Sequence, residues 1–184
     1  MHEEKQIRTA QGGAMLAVEI LMFAVSIFLI IASIVNESFV LLFPGLALLI
    51  TGLLFLSGFF IVQPNEAVAL LLFGAYKGTT RRTGFHFANP FFKKINLSLR
   101  ARNLNGERLK VNDKSGNPVE IAIVVVWKVT NTAHALFEVD HYEEYVHIQS
   151  ESAVRHMASA FCYDGDEAEI TLRGATEDVN ERLK

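Results

Sequence analysis

Two long apolar segments dominate the hydrophobic pattern near the start of the chain. Residues 14–35 carry one ionisable side chain, Glu19, and residues 39–62 carry none. As helices rising about 1.5 Å per residue, these segments would be about 33–36 Å long, against a hydrocarbon core of about 30 Å. Because only Asn36-Glu37-Ser38 separates them, the second helix must run back beside the first. The pattern predicts a transmembrane helical hairpin over residues 14–62.

A secretory signal peptide is the alternative interpretation of the first segment. Its apolar run exceeds the usual length of about 7–15 residues and a second run follows directly, which favours the hairpin. Basic residues flank the hairpin on its outer sides and are absent from its loop: Lys5, Arg8, Lys77, Arg81 and Arg82. This distribution predicts a two-pass protein of the cell or inner membrane, with both termini in the cytoplasm.

Small side chains recur in the second apolar segment at nearly two helical turns, in the pairs Gly45/Gly52 and Thr51/Gly58. Such a stripe lets another helix approach closely. The partner is either the first segment of the same hairpin, which we favour, or a neighbouring subunit. Glu19 lies about one turn inside the first segment, where its carboxyl is expected to reach the interface, so the position does not favour a transport role.

Shorter apolar segments outside the hairpin predict an α+β domain over residues 63–184, after a mobile polar leader at residues 1–13. Val119–Thr130 is the clearest strand, and apolar residues at the centre of both faces predict a central strand covered on both sides. A helical pattern runs from His141 to Phe161. A second amphipathic pattern, ending at Leu183 without a stop signal, predicts that the natural protein continues.

One segment of the domain combines aromatic and basic residues. Four phenylalanines lie between Phe85 and Phe92, and Lys93 and Lys94 follow. Apolar wedges beside cations suit a membrane surface that carries anionic headgroups. The candidate membrane contacts are Phe91, Phe92, Lys93 and Lys94, and the alternative is that these rings fill the core.

The composition and the spacing of polar residues exclude or disfavour several classes of function. A formal charge of −3 argues against nucleic-acid binding, and the single cysteine, Cys162, excludes a disulfide within the chain. Glu144, His147 and Glu151 share a helical face, but a polar stripe paired with Arg155 is favoured over a metal site. Ser150 lacks the sequence context of a hydrolase nucleophile. We expect no enzyme activity and no cofactor.

Ordered motifs give the domain a resemblance to a known family. Val62-Gln63-Pro64-Asn65-Glu66 opens the domain, and Phe73-Gly74-Ala75-Tyr76-Lys77-Gly78-Thr79 and Gly84-Phe85-His86-Phe87 with Pro90-Phe91-Phe92 follow. This order, placed after a membrane anchor, resembles the SPFH (band 7) domain of stomatin, prohibitin, flotillin and bacterial regulators of a membrane-bound protease. The similarity covers about residues 60–184.

The resemblance implies a small, mostly antiparallel sheet packed with helices, in a scaffold whose copies assemble side by side into rings or cages. It also implies that such a scaffold organises membrane microdomains and controls access of a membrane protease, or another membrane protein, to its clients. Candidate contacts between copies lie on the expected strand and helix: Val124, Val126, Lys128, Glu144, His147, Glu151 and Arg155. The alternative is a small lipid-binding adaptor that acts without a large assembly.

Overall fold

The structure is a computed structural model that describes residues 4–37 and 39–163. A short strand, β1 (Ala10–Gln11), leads into two long helices, α1 (Gly12–Val35) and α2 (Phe39–Leu56). The strands that follow are β2 (Phe59–Val62), β3 (Glu66–Leu72), β4 (Ala75–Thr80), β5 (Gly84–Phe87), β6 (Phe92–Ser98), β7 (Arg102–Asn105), β8 (Leu109–Asn112), β9 (Pro118–Ile121) and β10 (Val124–Trp127). Helices α3 (Thr132–Phe137) and α4 (Tyr142–Ala160) complete the described part. The α+β class is confirmed, and the helix expected near Leu183 lies outside the described residues.

The chain divides into two compact units. Unit 1 comprises Met1–Arg100 with Val129–His134, and unit 2 comprises Ala101–Lys128 with Ala135–Lys184. Unit 1 holds two three-stranded sheets, in the orders β1-β5-β2 and β4-β3-β6. Unit 2 holds two two-stranded sheets, β10-β7 and β8-β9. Each of these strand pairs is antiparallel.

Helices α1 and α2 are both long and apolar enough to cross a membrane. In a soluble helix pair the large apolar side chains face each other, whereas here the residues in the contact are small or polar. The buried positions of α1 recur every seven residues and are small or polar: Gly12, Glu19, Ser26 and Ser33. Most of the large apolar side chains point outward, and Phe28 and Phe39 are 69% and 76% exposed. A lipid phase would cover this outer surface.

Helix α2 ends at Leu56, earlier than the expected helix over residues 39–62. The last residues of that apolar run form β2, which pairs antiparallel with β5 from Phe59–Phe87 to Val62–Gly84. A short apolar run suits a buried strand as well as a helix, so composition did not reveal the change. The membrane segment is therefore joined directly to a sheet.

The N-terminal segment is part of the fold from residue 4 onward, contrary to the expected mobile leader. The Thr79 amide donates to the Lys5 carbonyl at 2.8 Å, and the Ile7 amide donates to the Thr79 carbonyl at 3.1 Å. Gly78 permits this approach, because a Cβ there would lie 2.6 Å from the Lys5 carbonyl oxygen. Strand β1 then pairs with β5 through Ala10–Phe87 and Gln11–His86.

The Glu4 side chain attaches this segment to the rest of unit 1. Its carboxylate accepts two hydrogen bonds from Arg81, at 2.8 and 2.7 Å, and one from the Thr132 amide at 2.9 Å. Burial by itself would raise the pKa of Glu4, but the hydrogen bonds from Arg81 and Thr132 outweigh it, so that the pKa is lowered. The ionised carboxylate therefore stabilises the folded unit.

The core of unit 1 lies on β3. Val62, Val68, Leu70 and Ala88 form a buried cluster, and Ile7, Phe60 and Phe92 pack against it. Leu70 is fully buried. This core therefore combines residues from before and after the membrane segment.

In unit 2, the expected single strand Val119–Thr130 is two strands. Its first half, β9, pairs with β8, and its second half, β10, pairs with β7. Ile123 lies between them and accepts a hydrogen bond from the Gly106 amide at 2.9 Å. The expectation of cover on both sides is also wrong, because Val124 and Val126 are 69% and 67% exposed.

Helix α4 packs on the β8-β9 sheet through its second half. Val154 and Ala158 are buried together with Leu109 and Val111. The helix agrees with the predicted bounds, and Tyr145 in its first half is 47% exposed. The short sheet covers only part of the helix length.

Asp113 fixes the chain just after α4. Its carboxylate accepts hydrogen bonds from the Asn117 amide at 2.7 Å and from the Tyr163 amide at 3.1 Å. The bond from Tyr163, with those from Asn117, lowers the pKa of Asp113 against the opposing effect of burial. The Lys114 amide adds a bond to the Phe161 carbonyl at 3.1 Å.

Candidate functional site

The first candidate surface lies where the sheets of unit 1 meet its membrane helices. Phe91 is 63% exposed, and Lys93 beside it is also exposed. Phe92 instead packs against the buried cluster of unit 1. The four candidate membrane contacts therefore fall into two groups: exposed residues, and residues whose side chains make contacts within the fold.

Lys94 belongs to the second group. Its ammonium donates to the Ser57 carbonyl, just beyond the end of α2, and lies 5.7 Å from the centre of the Phe60 ring. Burial lowers the pKa of Lys94. A cation at this position satisfies a carbonyl at the helix end and opposes the negative end of the helix dipole. Lys94 therefore joins the membrane helix to the sheet.

Sequence reasoning missed Phe73. Its side chain is 87% exposed, and its ring centre lies 6.3 Å from that of Phe91. A signal was present, because an aromatic residue directly followed by Gly74 closes an apolar strand and marks an exposed turn.

The second candidate surface lies within unit 2, between β10 and α4. A groove of about 910 Å³ is lined by Ala122, Ile123, Val124, Val125, Val126, Tyr145, Val146, Gln149, Ser150, Ala153 and Val154. Its strand side carries the two exposed valines. An apolar surface of this kind is typical of a contact with another molecule.

The other interface candidates differ in exposure. Lys128, Glu144 and Arg155 are exposed. His147 and Glu151 are half-buried, and His147 Nδ1 lies 3.5 Å from a Glu151 carboxylate oxygen. This distance places the two side chains in contact with each other on one helix face.

An aromatic and charged cluster places the start of α4 on the β10-β7 sheet. The Arg102 guanidinium lies 5.6 Å from the centre of the Trp127 ring and 5.8 Å from that of Tyr142. Arg102 also donates to the Glu143 carboxylate. No sequence pattern predicted this cluster, because its members come from three separate elements.

The four small residues of the second apolar segment have different positions. Ser26 Oγ donates to the Gly45 carbonyl at 2.7 Å, and a Cβ on Gly45 would lie 2.9 Å from Ile30 Cγ1. Gly52 is also buried against α1. Thr51 is exposed and bonds within its own helix, and Gly58 lies beyond the helix end beside Phe87. The contact within the hairpin therefore uses Gly45 and Gly52.

The Glu19 carboxyl, expected to reach the membrane–water interface, is instead buried between the two helices of the hairpin. It is 4% exposed, and a Cβ added to Gly52 would lie 3.2 Å from its Oε1. Within the described residues, Oε1 has no hydrogen-bond partner. The side chain therefore faces the second helix of the hairpin.

Ser150, considered as a nucleophile, donates its hydroxyl to the Val146 carbonyl of its own helix at 2.6 Å. The candidate sites among the described residues are therefore surfaces and a groove, which suit contacts with other molecules.

Comparison with known proteins indicates the family of the chain. No curated protein shows a significant match, but the profile of the SPFH domain / Band 7 family matches residues 60–183. Since this match covers more than half of the sequence, the chain belongs to the SPFH domain / Band 7 family, a family of membrane-associated scaffolds that are generally non-enzymatic.

Proposed function

We propose that this chain is a membrane-anchored scaffold whose copies assemble laterally into a large homo-oligomer, a ring or cage. The exposed apolar strand of unit 2 carries the proposal. Val124 and Val126 are 69% and 67% exposed, beside a groove of about 910 Å³. Leaving these side chains in water costs free energy that contact with a second copy would recover.

The pairing of β10 supports the same interface. Within the described residues, β10 pairs only with β7, in a two-stranded sheet. An isolated two-stranded sheet is marginally stable, and an unpaired strand edge is ready to accept a further strand or helix. Contact between copies would complete this sheet and cover its valines. The charged candidates Lys128, Glu144 and Arg155 are exposed and would border the contact.

Membrane anchoring makes such assembly more favourable. Copies confined to one bilayer meet in two dimensions, which raises their effective concentration. The pairing of β1 with β5 supports a hairpin whose two ends lie on the same side of the membrane. Together with the basic flanks, it favours the cytoplasmic side. The assembly would organise a membrane microdomain and control the access of a membrane protease, or of another membrane protein, to its clients.

A double substitution tests the interface. Val124→Glu with Val126→Glu places two charges on the exposed face, where contact between copies would have to desolvate them. We expect the mass of the full-length complex, extracted in native nanodiscs and measured by mass photometry, to fall several-fold. The variant should remain in the membrane fraction, because its hairpin is unchanged.

The matched control is Asn112→Glu, which adds the same charge per site at an exposed position of β8. It should leave the large complex intact. Full-length wild-type chain that remains monomeric over a range of concentrations would refute lateral assembly, and would favour the lipid-binding adaptor, for which the exposed Phe91 provides the supporting observation.

A further inference from the structure

Two exposed rings form one tip on unit 1. Phe73 lies in the turn between β3 and β4, and Phe91 lies in the turn between β5 and β6. They are 87% and 63% exposed, the first being the highest exposure among the large apolar side chains described. Their ring centres are 6.3 Å apart at an interplanar angle of 32°. We call this pair the aromatic tip.

The backbone at the tip is also strained. Phe73 has φ +49°, in the left-handed region that glycine and asparagine tolerate and bulky residues rarely adopt. Within the chain, the ring stays almost fully exposed, so its burial does not offset the strain of this conformation. A contact outside the chain would supply the missing burial.

The hydrogen bonds show where the tip lies. Just beyond α2, Ser57 Oγ donates to the Pro90 carbonyl at 3.2 Å, and the Gly58 carbonyl accepts from the Ala88 amide at 3.0 Å. The turn that carries Phe91 is therefore bonded to the residues that end the membrane helix. Register brings Phe73 to the same end, because Leu72 of β3 pairs with Phe92 of β6.

We propose that the aromatic tip inserts into the boundary between headgroups and acyl chains of the bilayer that α1 and α2 span. Phenylalanine rings suit this depth, and the exposed Lys93 suits an anionic headgroup beside them. The turn that carries Phe91 is bonded to the end of α2, so the lipid that would cover the outer surface of the helices is also the occupant we propose for the tip. It acts as a third point of attachment, beside the two helices, and fixes the tilt of the unit 1 sheets against the membrane. This contact does not depend on lateral assembly, so each proposal can fail alone.

Quenching by lipid tests the contact. In a full-length Trp127→Phe background, Phe73→Trp and Phe91→Trp each give a single fluorophore at the tip. The control is Gln63→Trp, at an exposed turn that follows Val62 at the opposite end of β2. The proteins are reconstituted in phosphatidylcholine–phosphatidylglycerol vesicles with bromine on the acyl chains near the headgroup.

Emission from positions 73 and 91 should fall by about half or more, as expected for a ring at the acyl boundary, and emission from position 63 should change little. Similar quenching at all three positions, or none at the tip, would overturn the proposal. Protection of the tip from aqueous iodide that grows with the protein-to-lipid ratio would identify a second copy as its occupant and also overturn it.

A further substitution separates insertion from folding. Phe73→Gly relieves the left-handed backbone, so the fold should be retained or stabilised. Combined with Phe91→Trp, it should reduce the lipid quenching at position 91, because one of the two inserted rings is lost. Unchanged quenching would show that the rings do not insert together and would contradict the joint contact.

Discussion

Units 1 and 2 use apolar residues in opposite ways. In unit 1, β3 lies between two partner strands, and Val68 and Leu70 are fully buried. In unit 2, β10 has one partner strand among the described residues, and Val124 and Val126 remain mostly exposed. Both strands are rich in aliphatic residues, so composition does not explain the difference. Unit 1 completes its core within one chain, whereas unit 2 has apolar surface that a second molecule would complete.

The largest expected effect is on the core of unit 1. Leu70→Ala removes a fully buried side chain and should reduce local stability by about 3 kcal/mol. Leu104→Ala, at a half-buried position of β7 in unit 2, should cost about 1 kcal/mol. Hydrogen exchange at the amides of β3 and β7, in the full-length protein in micelles, measures both. Equal losses would contradict the contrast between the units.

A smaller effect is expected at the N-terminal segment. The pKa of Glu4 is lower in the folded chain than its ordinary value of 4.5, so its stabilisation is complete above that value and is lost as the pH falls through the folded pKa. Glu4→Gln should cost about 1 kcal/mol at neutral pH, by weakening the bonds from Arg81. The loss should disappear in acid. Thermal unfolding from pH 7 to pH 3 measures it, and a cost independent of pH would contradict the assignment.

The smallest effect is local to unit 2, where Asp113 holds the chain after α4. Its pKa is lowered mainly by the Tyr163 amide, so this attachment too should weaken as the pH falls through the folded pKa. Asp113→Asn keeps one carboxamide oxygen but loses the charge. We expect faster hydrogen exchange at Tyr163 with little change in β3 of unit 1. Unchanged exchange at Tyr163 would refute a fastening role for the carboxylate.

The hairpin and the fold class could be predicted from the sequence, because long apolar segments and a sharp break have few alternatives. The end of α2 could not, since Phe59–Val62 is as apolar as the helix before it and becomes a strand only by pairing with β5. The division of the expected strand Val119–Thr130 into β9 and β10 could not be predicted for a similar reason. Apolar alternation continues through Ile123, and only the choice of partner strands breaks it.

The candidate surfaces were predicted in part. Val124 and Val126 were singled out from their position on the strand, but the neighbouring groove depends on tertiary packing. For the aromatic tip, sequence reasoning found Phe91 and missed Phe73, because its ring meets that of Phe91 only through the pairing of β3 with β6. The sequence pattern indicated that Lys94 is a surface cation, yet its ammonium donates to the Ser57 carbonyl beyond the end of α2.

The position of β5 between β1 and β2 has a mechanical consequence. Each membrane helix continues into a strand that pairs with β5, so a pull on either helix loads those hydrogen bonds in shear. The strand joined to α2 pairs over four positions, from Phe59 to Val62. The strand joined to α1 pairs over two, reinforced by Thr9 Oγ1, which lies 3.0 Å from His86 Nδ1. Under load the β1–β5 pairing would therefore yield before the β2–β5 pairing. The segment before α1 would then stay attached through the bonds of Lys5 and Ile7 to Thr79 and of Glu4 to Arg81 and Thr132.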